Sequence, residues 1–346
     1  MRESNRCRIP PDNSVMPTPI RVRNCEEVEF VMKQIADLML LVFVVSCVLS
    51  VGLSLTVSQI LAPLRQTRLV VLSLVVNFVI VPVLAVAMTK MLSLSEPAKI
   101  GLLLLGSAAG APFLPKIIEV VKGDVAFSVA LMVLLMLASL AYMPLMLPLM
   151  LPRVSVNSMG IAQSLLVTMI LPLSIGLCIK ARRESLAVRL RPMVSGLSNV
   201  SMIIALVLIP VVNFQILLEL LSLQIFVVSI LFVGLSFAAG YVLGGTGRGC
   251  EKIGSGTSQP IESPTKTVAK FGARPIFSQP RSEARRVMGF GAAARNIPAA
   301  LLVARENFVD PKVMIMVIVV ALLSLIVLAP LAIVFARGNR SQTQPS

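Results

Sequence analysis

The chain has 346 residues, 56% of them hydrophobic and only 14% charged, with a formal net charge of +15. At a mean hydropathy of +0.91, that balance excludes a soluble domain and predicts a polytopic helical membrane protein. His and Trp are absent and there are two Tyr, so His-based metal and proton chemistry is excluded and the aromatic belt is thin.

In chain order, residues 1–35 form a polar tail of mixed charge without the apolar run of a signal peptide. A membrane-crossing helix needs roughly 20 apolar residues. Nine stretches predict such helices, at about 36–57, 68–89, 99–121, 125–150, 159–180, 194–213, 222–245, 286–304 and 312–336. Residues 246–285, rich in Gly, Ser, Thr, Pro and Lys, predict a disordered cytoplasmic loop, and 337–346 a cytoplasmic tail. Basic residues gather on one side of the nine spans, in Arg65, Arg68, Lys122, Lys180, Arg189 and Arg191 among others. The positive-inside rule then predicts a cytoplasmic C-terminus and an external N-terminus in a plasma membrane protein. It also accounts for the net charge without nucleic acid. Cys7, Cys25, Cys47, Cys178 and Cys250 have no metal or CxxC spacing and read as free thiols.

An internal repeat links the third and fourth spans to the last two. One offset of 186 residues aligns Pro112 with Pro298, Asp124 with Asp310 and Pro144 with Pro330. An odd number of spans separates the copies, which predicts that they are inverted. Inverted repeats with helices broken near the midplane mark secondary transporters. In "GSAAGAPFLP" the small residues allow two helices to approach closely. In "GFGAAARNIPAALLVARENF" Pro298 is read as the breaker, and Arg295 and Asn296 sit beside it. Ordinary proline kinks with small-residue packing are the alternative. Lys116 and Glu119, three residues apart, read as a pair near a helix end, with Glu119 a candidate proton-coupling carboxylate. Asp124 reads as a helix cap.

On three segments the sequence resembles the bile acid:sodium symporter family: "NFVIVP" from Asn77 to Pro82, "GSAAGAPFLPKIIEVVKGDVAFSVAL", and "GFGAAARNIPAALLVA". Their order and spacing carry the resemblance, over roughly 36–245 and 286–336. It implies two inverted repeats, with discontinuous fourth and ninth family helices that cross, and a missing first helix. It also implies that the family's sodium positions correspond here to Leu114, Pro115, Met132, Gly291 and Arg295, although Ser128 persists. Asn77 stands where the family often has Gln. Leu, Pro, Met and Gly side chains offer no oxygen ligand, and Arg offers only donors.

The resulting expectation is a secondary transporter of a small organic anion, working by alternating access without sodium and with no cofactor. The substrate site would involve Arg295, Asn296, Asn77, Pro112, Pro115 and Ser128. Arg295 would be a fixed positive charge where relatives bind sodium. An intramembrane Arg costs ~3 kcal/mol on insertion scales, which implies a role for it, either holding helix-end carbonyls or contacting substrate. The alternative is a sensor or regulatory partner on the same scaffold. An arsenite-type carrier is expected to carry a Cys in the fourth-helix break, and "SAAGAPFLP" has none; an auxin-carrier-like protein is a further neighbour. No catalytic set argues for an enzyme.

Overall fold

The structure, a computed structural model, describes residues 19–56, 67–151, 158–220, 222–245, 281–308 and 310–338. Among them it is helical throughout, without a strand. The helices are α1 (Pro19–Ser54), α2 (Thr67–Met91), α3 (Glu96–Ser107), α4 (Leu114–Val120), α5 (Val125–Met150), α6 (Ser158–Arg182), α7 (Glu184–Val212), α8 (Phe214–Leu220), α9 (Leu223–Gly244), α10 (Arg281–Ala293), α11 (Ile297–Asn307) and α12 (Pro311–Gly338). Among the described residues, eight segments are long and apolar enough to cross a membrane. The broken pair α3–α4, whose halves are each too short alone, makes a ninth.

Several boundaries differ from the sequence reading. Helix α1 begins at Pro19, inside the stretch read as a polar tail. The span read as 194–213 begins at Glu184. Charged residues of high helix propensity carry it past the membrane limit, and Lys180 Nζ donates to Glu184 Oε1 at 2.7 Å across the α6–α7 turn. Helix α10 likewise starts at Arg281, within the last residues assigned to the 246–285 loop. The disorder expected for 246–280 lies outside the described residues.

Prolines shape the long helices from within. Pro82 and Pro172 lack an N–H, and each follows a π turn, Val76–Ile80 in α2 and Leu166–Ile170 in α6. There Val81 N–H reaches Val76 O and Leu171 N–H reaches Leu166 O, five residues back. The wider turn absorbs a register that proline cannot sustain.

The 186-residue offset recurs in the helices. It carries α5 onto α12, and the interruption after Ser107 onto the one after Ala293. Asp124 Oδ1 accepts from Phe127 N–H and Asp310 Oδ1 from Lys312 N–H, each at 2.9 Å, so both aspartates start the helix that follows a broken pair.

Two groups of helices result. Helices α1, α6 and α7 pack together. Gly52 and Gly176 let α1 and α6 touch backbone to backbone: a Cβ on Gly176 would lie 2.8 Å from Gly52 Cα. Helices α2–α5 and α9–α12 form the larger group, which meets the first chiefly through α5 and α11.

Candidate functional site

The two interruptions meet in the interior of the larger group. Residues 108–113 separate α3 from α4, and 294–296 separate α10 from α11. Asn296 N–H donates to Ala108 O at 2.9 Å, tying one break to the other. Each helix end there leaves carbonyls without intrahelical donors, and in lipid such groups need protein partners.

Arg295 supplies them. It is 3% exposed. Its Nε donates to Leu105 O at 2.8 Å, Nη2 to Gly106 O at 2.5 Å, and Nη1 to Ala292 O at 3.2 Å and to Asn77 Oδ1 at 2.9 Å. The three carbonyls belong to the last turns of α3 and α10. The guanidinium therefore sits at two helix C-termini, where the backbone dipoles favour a cation. Asn77 is held in turn by its Nδ2 on Ser73 O at 3.0 Å. This location in the π turn of α2 brings a side-chain oxygen to the crossing.

Asn296 is fully buried and caps α11, its Oδ1 accepting from Ala299 N–H at 3.2 Å. Its Nδ2 has no partner among the described residues. Pro298 does not break a helix. It lies in the first turn of α11, as Pro115 does in α4, where a missing N–H costs nothing. The break precedes Pro298, and Arg295 and Asn296 are its contents.

At the other break, Gly110 has φ +84, and a Cβ there would run into the backbone of α5, 2.7 Å from Met136 Cα. Only glycine fits this crossing. Ser139 of α5 serves both backbone groups of Ala109: its Oγ accepts from the N–H at 2.9 Å and donates to the carbonyl at 3.0 Å. Sequence reasoning misses Ser139 because it looks like any small residue in an apolar helix.

A cavity of about 340 Å³ lies between α1 and α7 on one wall and the two breaks, α5 and α12 on the other. Its volume suits a small organic molecule. Pro112, Pro115 and Pro298 line it, with Met132. Arg295, Asn296, Asn77 and Ser128 do not reach it. The first three are gathered behind it at the crossing, and Ser128 Oγ donates to Val125 O of its own helix at 2.7 Å. Apart from Arg295, the positions compared with sodium ligands are apolar: Leu114 is fully buried, and a Cβ on Gly291 would meet its Cδ2 at 3.5 Å. Among the described residues no cluster of three or more His, Cys, Asp or Glu is placed to hold a metal ion.

Lys116 and Arg191 line the cavity, and among the described residues no carboxylate does. The expected pairing of Lys116 with Glu119 is not formed; Glu119 is exposed on α4 and outside the lining. Arg191 sits in the stretch read as a loop before 194, so the sequence hides its place on a cavity wall. Toward the other end of α1, ~25 Å from Ser54 along the helix, Arg305 Nε of α11 approaches Asp37 Oδ1 at 3.5 Å. There too the Ser164 hydroxyl of α6 donates to Glu306 Oε2. The two helix groups are thus tied at one end and parted by the cavity toward the other.

Membrane-crossing helices with two interrupted members, crossing beside a cavity between two helix groups, define a secondary transporter. The sequence narrows this further. The model of the sodium bile acid symporter family matches residues 39–220, more than half of the chain, and the protein belongs to that family. It is a transport protein and not an enzyme. No curated protein matches the chain. The family match covers the first break and α7 and stops before α9, so the second break is placed by its contacts with the first.

Proposed function

We propose that the protein carries a small organic anion across the plasma membrane by alternating access and without sodium coupling. The carrying observation is Arg295: its guanidinium occupies the carbonyl ends of both interrupted helices, the place where a mobile cation would find its oxygen ligands. A tethered cation there removes the need for a bound one. The cavity supports an anionic solute because, among the described residues, its charged lining is wholly basic. The shared 186-residue offset supports inverted repeats, and with the N-terminus outside, the cavity opens toward the cytoplasm.

Two measurements test this. Thermal unfolding of the detergent-purified protein is expected to give equal midpoints in sodium and potassium chloride at matched ionic strength. A sodium-specific rise sinks the sodium-independent reading, since a ligand at ~100 times its Kd adds ~2.7 kcal/mol. Uptake of a radiolabelled bile acid, the anion in the family's name, into proteoliposomes is expected to be saturable and equal in sodium and choline media.

A further inference from the structure

The two cations of the cavity come from opposite helix groups. Lys116 stands in the first turn of α4, directly after the first break, and Arg191 stands on α7. Both are exposed to the cavity space, and neither forms an ion pair or a side-chain hydrogen bond among the described residues. Arg295, by contrast, spends four of its five N–H donors on backbone carbonyls and Asn77 and does not line the cavity. The remaining wall is largely apolar, with Phe43, Met132, Leu206 and Ile318. Two unpaired cations in a cleft with low-dielectric walls concentrate a positive potential there.

We propose, resting on the transport reading above, that Lys116 and Arg191 jointly hold the carboxylate or sulfonate head of the solute, one from each helix group, while the apolar wall takes its body. Guanidinium offers a planar fork to such a head and ammonium a compact point charge. An anion bridging the pair joins the two groups that must move against each other. It also neutralises two like charges that oppose closure of the empty cavity.

Cys47 lines the same cavity and provides a reporter that needs no known substrate. With Cys7, Cys25, Cys178 and Cys250 replaced by Ser, the full chain is treated with 2-sulfonatoethyl or 2-(trimethylammonium)ethyl methanethiosulfonate. The Cys47 thiolate attacks the reagent's sulfenyl sulfur, a mixed disulfide forms and methanesulfinate leaves. The ratio of anionic to cationic reagent rates, relative to a free thiol, is expected to favour the anion about tenfold at low salt. Lys116→Gln and Arg191→Gln each reduce that preference, the double variant removes it, and Lys116→Arg keeps it. A free-thiol ratio in the parent, or a preference surviving in the double variant, overturns the proposal. Ser195→Cys, one turn from Arg191, gives a second thiol; if both thiols resist both reagents, the open cavity itself is refuted. Bile acid uptake with a free-thiol ratio removes this proposal alone. An intact preference without uptake removes the transport reading alone.

Discussion

The two interrupted helices are related by one sequence offset yet solve the same problem by different chemistry. The first break is six residues long, 108–113, and supplies neither a side-chain cap nor a charge. Its needs are met from outside: Ser139 serves Ala109, and Arg295 serves the carbonyls of Leu105 and Gly106. The second break is three residues, 294–296, and carries its own cap in Asn296 and its own cation in Arg295. One break receives and the other supplies. One break can therefore hold the polar chemistry for both, provided the two touch. The burial is consistent with this division: 94% of the apolar window through α10 and α11 is buried, against 22% for α7, whose face suits lipid.

That asymmetry is sharpest at Arg295. Arg295→Leu strips donors from three carbonyls and Asn77, at ~1–3 kcal/mol for each buried group left unpaired, offset by ~3 kcal/mol of charge insertion no longer required. The expected net loss is roughly 1–9 kcal/mol, centred near ~5, seen as collapse of monodisperse yield and of the thermal midpoint. Unchanged stability would show that the second break does not hold the first. Gly110→Ala comes next. The positive φ and the contact with the Met136 backbone together cost about 2–4 kcal/mol, whereas Gly291→Ala, with ordinary van der Waals space at 3.5 Å, is expected to shift the midpoint little. Equal effects at the two glycines would contradict the tight crossing at the first break.

Smaller effects separate the imported from the resident partner. Ser139→Ala leaves Ala109 N–H and C=O unpaired and is expected to cost about 2 kcal/mol; a neutral outcome would mean that the first break needs no help from α5. Asn296→Ala removes a cap, about 1 kcal/mol, but also discards an amide nitrogen without a partner among the described residues. It is therefore expected to cost less than Ser139→Ala in the same unfolding measurement, and the reverse order would count against the bond assignments at the second break.

Much of this is legible in the residues. Apolar run lengths give the number of spans to within the broken pair. Asp124 reads as a cap in "KGDV" and is one, and Asp310, 186 residues on, bonds the start of α12 with its Oδ1 as well. Small residues on both sides of the breaks point to a close crossing. Boundaries are less legible where charged residues continue a helix past the apolar run, as at Glu184 and Arg281. Pro298 misleads because proline is tolerated in a first turn as readily as it ends a helix. Arg295, Asn296 and Asn77 stand out in the sequence as site residues, and the structure gathers them beside the cavity rather than on its wall. Lys116 and Arg191 read as surface charges, because a basic residue near a span end has the same local pattern whether it faces water, headgroups or a cleft.

The class follows from the residues alone: helices that cross a membrane, two of them interrupted, with an Arg at one interruption. Run length gives the crossings, and the need of every backbone group in lipid for a partner gives the Arg its place. Which groups become partners is a matter of packing. Arg295 finds Leu105 and Gly106 190 and 189 residues away, and Ser139 finds Ala109 across 30. Such pairings depend on how helices lie against one another in space, and periodicity along one helix carries no record of them.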